Sequence, residues 1–188
     1  MGTFSTAYIK NTKQDQIKSY LGQYFEILSE EIVNQEQWWK YGNNGNDTMI
    51  LSNVYNYKWV QLYLNLDVSI YKYDELLRRI SKEFKTEILF CYYQTTICKG
   101  RLAKFNEGKL ILSIVQEEIE IKGDRMLRLT DNWGVDSETR NQFSIPKLME
   151  KFINIDYDNI YKFLKINNLE WDRIEKEEEY NHLELKVG

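Results

Sequence analysis

Apolar and polar residues recur along this chain with two different periods, and the switches between them mark its elements. Residues 3–10 (TFSTAYIK) are β-branched and aromatic, which predicts a first strand. Asn11 or Thr12 then offers an N-cap, with Asp15 in the first turn, where the helix dipole favours an anion. Ile17, Leu21, Tyr24, Phe25, Leu28 and Ile32 follow at helical spacing and predict one amphipathic helix reaching Ile32. Beyond Trp38 and Trp39, the run YGNNGND (41–47) reads as a loop, and residues 49–54 and 57–64 read as strands.

The densest alternation lies between residues 57 and 121. Residues 71–85 form a helix with Tyr73, Leu76, Leu77, Ile80 and Phe84 on one face. Asp74 and Glu75 open it, while Arg78, Arg79, Lys82 and Lys85 gather toward its end, in the order the dipole favours. Residues 86–97 follow as a strand in which Ile88, Phe90 and Tyr92 alternate with Leu89, Cys91 and Tyr93. Both sets are apolar, so this strand is expected at the centre of a sheet covered on both faces. Residues 101–105 and 110–121 pair across Asn106-Glu107-Gly108, a hairpin turn. Along the second arm Leu110, Leu112 and Ile114 give way on one face to Gln116, Glu118 and Glu120, which predicts a solvated end.

Residues 130–142 read as a loop, Ser144 and Pro146 begin a short helix burying Leu148, Met149, Phe152 and Ile153, and Asp156 caps another presenting Ile160, Phe163 and Leu164. Asn167-Asn168 ends that helix. Residues 171–188 are strongly polar and are expected to form a frayed tail on a single domain of residues 1–170. The whole reads as an α+β domain, an antiparallel or mixed sheet with helices packed mainly on one face and short C-terminal helices.

Composition narrows the function by exclusion. The 188 residues are 43% hydrophobic and 29% charged, a globular balance that argues against disorder. A formal charge of −4 disfavours a general nucleic-acid binder, which needs a concentrated surplus of Lys and Arg. No apolar run is long enough to span a membrane, and residues 1–5 (MGTFS) do not start a secretory signal, so a cytoplasmic location is expected. Cys91 and Cys98 lie seven apart on what reads as one strand, facing opposite ways, so no disulfide between them is expected.

The inventory of reactive side chains is thin. The single histidine, His182, falls in the polar tail, which leaves no His/Cys metal set and no Ser-His-Asp or Cys-His arrangement. No glycine-rich phosphate loop occurs, since Gly42-Asn43-Asn44-Gly45 lacks the following lysine and helix. No cofactor or metal is therefore expected. Carboxylates are abundant, and Asp131 and Asp136 around Trp133-Gly134, or Glu117, Glu118 and Glu120, are the sets from which a hydrolase would draw paired acids. An acidic run at a strand end is otherwise a solvated edge that discourages aggregation.

The aromatics carry a second hypothesis, beside the reading that they are large core residues and loop anchors. Trp38, Trp39, Tyr41 and Tyr55 flank one loop, and with the acids Glu117, Glu118 and Glu120 they make a candidate protein-binding surface. Trp59 and Tyr92 are assigned to the core. The MGTFSTAYIKN opening into an amphipathic helix, the KWVQLYL strand and the ELLRRISKEF helix leading into EILFCYY resemble the small acidic immunity proteins that bacteria encode beside polymorphic or contact-dependent toxins. The resemblance covers residues 1–121 and carries no diagnostic residue. It implies a stoichiometric inhibitor that meets a basic cognate toxin through an acidic, aromatic-bearing surface. The alternatives are a phage or bacterial accessory protein that binds another host protein, and a carboxylate-dependent hydrolase using the 131–138 loop.

Overall fold

The computed structural model describes residues 3–33, 47–54, 58–64, 70–95, 97–121, 124–131, 134, 155–169 and 180–187. In chain order they form β1 (Thr3–Lys10), α1 (Gln14–Leu21), β2 (Phe25–Val33), β3 (Asp47–Val54), β4 (Trp59–Leu64), α2 (Asp74–Glu83), β5 (Glu87–Gln94), β6 (Lys99–Asn106), β7 (Lys109–Ile121), β8 (Asp124–Asp131), α3 (Tyr157–Ile166) and β9 (Tyr180–Val187). The strands make one nine-stranded sheet in the order β2-β9-β3-β4-β1-β5-β6-β7-β8. Every neighbouring pair is antiparallel. The fold is α+β.

β5 is interior and apolar on both sides, and the core divides across it. Ile88, Phe90 and Tyr92 join the cluster under α1 and α2, with Ile17, Tyr20, Leu21, Leu77 and Ile80. Leu89 and Cys91 join the opposite cluster with Trp59 and with Ile160, Phe163 and Leu164 of α3. Two of the three described helices thus share one face, and α3 covers part of the other. Each fully buried Leu, Ile or Phe in these layers contributes about 1.5–3 kcal/mol of transfer free energy. Trp59 and Tyr92 are buried, as assigned from the sequence.

Local signals account for several elements. Asp156 accepts from the Asn159 backbone N–H at 3.0 Å and starts α3. Glu107 and Gly108, at φ 47° and 80°, form the two-residue turn between β6 and β7; paired left-handed residues match the twist of a tight hairpin. Gly100 lies in β6, where a Cβ would come within 2.7 Å of Ile155, so the glycine lets the chain entering α3 pack down on the sheet.

Several expectations are overturned. The single helix reaching Ile32 is instead α1 followed by β2: the helix stops at Leu21, and Gly22, Gln23 and Tyr24 turn the chain. Lys13 is the N-cap rather than Asn11 or Thr12, its N–H held by Gln16 Oε1 at 3.0 Å. Phe25 and Ile27 turn toward the core, whereas Leu28 at a bulge is 44% exposed and Ile32 is 68% exposed. Pairing with β9, distant in sequence, overrode the local helical period.

Residues 180–187 of the expected tail are β9, inserted between β2 and β3 with Leu183 fully buried, and His182 lies on this strand. β8 is a further strand not foreseen in the sequence. A bulge at Ile111 sends Leu110 and Leu112 to opposite faces, so they do not share one as their spacing suggested. Cys98 sits in the turn after β5 at φ 49°, not on that strand, and both thiols are free. The short helix expected from Ser144 lies outside the described residues.

Candidate functional site

Trp38, Trp39, Tyr41 and Tyr55 lie outside the described residues. The three acids lie on β7, but this strand is not an edge: Glu117 is opposite Arg128, Glu118 opposite Leu127 and Glu120 opposite Arg125 in β8. Glu117 also meets Lys99 Nζ at 2.9 Å, and Glu118 is exposed. A second strand therefore flanks the acidic end that the sequence suggested was open. Of the loop proposed for paired acids, Asp136 and Glu138 fall outside the described residues, and Asp131 ends β8.

A depression of about 370 Å³ opens between α1 and α2, lined by Asp15, Gln16, Ser19, Tyr20, Gln23, Glu83 and Phe84. Its two walls are set by how α1 and α2 are each held on the sheet. α1 is short, and Ile17, Tyr20 and Leu21 bury its inner face while Asp15, Gln16, Ser19 and Gln23 remain exposed. At the end of α2, Ser81 Oγ donates to Thr86 O at 2.7 Å and accepts from Gly108 N at 3.2 Å, tying the helix to β5 and the β6–β7 turn. That anchorage fixes Glu83 and Phe84 opposite α1.

The floor is aromatic. Tyr20 meets Tyr24 with ring centroids 5.0 Å apart and Phe84 at 5.6 Å, tilted and edge-on, the arrangements aromatic rings favour. Burial, the Tyr24 hydroxyl and the negative charge of Glu83 push the Tyr20 phenol up to about 12, against a smaller opposing effect of Arg79. Tyr20 is thus a neutral hydroxyl at physiological pH. Beside this group, Arg79 pairs with Glu75 at 2.8 Å and its guanidinium lies 5.6 Å from the Tyr24 ring. Lys18 is held by Glu30 at 2.6 Å, pinning α1 to β2.

Other polar clusters serve the fold. Arg101 is fully buried in a bidentate pair with Asp74 at 2.6 and 2.9 Å and donates to Ile70 O and Ser113 Oγ. Gln116 joins Cys98 O to Ile155 N. Gln61 links Ser52 to Tyr8, whose hydroxyl is driven far above its usual range by burial. Burial likewise raises the Cys91 thiol, which makes it a poor nucleophile. Among the described residues no group of three His, Cys, Asp or Glu is placed to hold a metal, and no helix is long and apolar enough to cross a membrane.

Sequence reasoning missed Tyr20, Phe84 and Glu83 as surface-forming residues. Tyr20 follows Ile17 by three and belonged with the buried face of a shorter helix. Glu83 carried the clearest signal, an acid in the last turn of a helix whose other charges follow the dipole. Compared with protein-family models, curated proteins and solved structures, the chain matches none.

Proposed function

We propose that this chain is a non-enzymatic protein-binding module, acting in the cytoplasm as an immunity protein that neutralises a cognate bacterial toxin by stoichiometric binding. The observation that carries the reading is the α1–α2 depression, where half-buried Phe84 packs on buried Tyr20 between exposed Asp15 and Glu83. Buried aromatics ringed by polar groups are the usual anchors of protein interfaces. An overall charge of −4 favours a basic partner and speeds its approach. Two free thiols fit a reducing compartment.

The hydrolase alternative draws its acids from the 131–138 loop, of which Asp136 and Glu138 lie outside the described residues and Asp131 ends β8. Asp15 and Glu83 both line the depression, yet both are exposed to water.

The test is capture by the tagged chain from its native host, alongside a D15K/E83K variant that reverses the rim charge. A basic protein recovered in one-to-one ratio, and depleted about tenfold or more with the variant, is expected for charged pairs coupled across an interface. A recovered partner that is not a toxin would move the assignment to an accessory protein. Failure to recover any stoichiometric partner would count against a binding role.

A further inference from the structure

We propose that the α1–α2 depression is a receptor for a guanidinium, the side chain of an arginine presented by the partner protein. This rests on the protein-binding reading above and names the chemistry of its anchor. The described lining contains two carboxylates and no base. Glu83 adds its charge at the carbonyl end of α2, which is already negative and where an acid weakens the helix. Of the nearby bases, Lys18 is engaged by Glu30 and Arg79 by Glu75, and Lys13, Lys82 and Lys85, close in sequence to Asp15 and Glu83, do not line the depression. The field in the depression therefore favours a cation.

The aromatic floor selects which cation. A guanidinium stacks on Tyr or Phe faces as a plane and offers five donors in a fork, while an ammonium is a compact, strongly hydrated charge. Ser19 and Gln23 add polar side chains around the rim. The chain already holds two of its own arginines by this combination. Arg101 lies 4.4 Å from the Tyr71 ring while paired with Asp74, and Arg79 lies against Tyr24 while paired with Glu75. The depression presents like elements, the half-buried ring of Phe84, backed by buried Tyr20, beside Asp15 and Glu83. At about 370 Å³ it admits one long side chain rather than a folded element.

The probe is L-argininamide, titrated into isotope-labelled protein and followed by backbone amide shifts, with L-citrullinamide as the neutral isostere and L-lysinamide as the ammonium. Saturable shifts at Ser19, Tyr20, Gln23 and Phe84 are expected for argininamide, with binding weaker by about fivefold or more for citrullinamide and for a D15N/E83Q variant. Equal binding of citrullinamide or lysinamide, shifts centred elsewhere, or no saturable response would overturn the proposal. Unchanged shifts elsewhere in the D15N/E83Q spectrum establish that the variant is folded. The two readings fail separately. Argininamide binding without any captured partner would keep the receptor and remove the protein-binding role. A partner held at full strength by D15N/E83Q would keep that role and remove the receptor.

Discussion

At Arg101 a guanidinium sits entirely out of water, in contact with Asp74, Ile70 O and Ser113 Oγ and stacked near Tyr71 and Phe90. Four donated hydrogen bonds offset its desolvation, and Asp74 opens α2, so the pair fastens that helix to β6. Removing one partner leaves the other charge uncompensated, whereas replacing both with apolar residues is nearly neutral. Asp74→Ala is expected to cost about 3 kcal/mol, the lower end for breaking a buried pair, since Asp74 keeps 21% of its side-chain surface in water. The double variant D74L/R101M should recover most of that loss. Urea denaturation checks this, and an Asp74→Ala cost below that of an exposed pair would contradict the clamp.

Elements whose determinants lie within a few residues were legible in the sequence. α2 announced itself through dipole-ordered charges, α3 through the Asp156 cap, β5 through its two apolar faces, and the β6–β7 hairpin through Glu107-Gly108. β2 and β9 were not, because each owes its conformation to the other. Residues 25–33 carry a helical period that solvent-exposed Leu28 and Ile32 shared by accident, and residues 180–187 are too polar to read as an interior strand until their two neighbouring strands are known. The bulge at Ile111 is a register event that alternation alone does not show. β9 joins β2 to β3, so a chain ending at residue 179 is expected to lose amide protection throughout β2 while β5, β6 and β7 retain theirs. Native-state hydrogen exchange reads this directly. Full protection of β2 in the shortened chain would contradict the sheet order.

Across the whole molecule, the sheet gives each face a separate task. Its central strands bury residues on both sides, and α1 and α2 stand on one face as the walls of the depression. The depression was not legible in the sequence. The acidic, aromatic-bearing surface expected there used other residues, of which Trp38, Trp39, Tyr41 and Tyr55 lie outside the described residues, whereas Asp15, Tyr20, Glu83 and Phe84 come together through packing between α1 and α2, which no local pattern displays. β2, at one end of the sheet, is a weaker candidate, since its bulge and its exposed Glu26, Glu30 and Glu31 are devices that protect an edge from pairing. The proposed docking of a partner on the α1–α2 face is tested by hydrogen–deuterium exchange of the chain alone and in its captured complex. Slowed exchange confined to residues 14–24 and 79–85 is the expected result. Unchanged exchange there, with protection appearing elsewhere, would contradict the account.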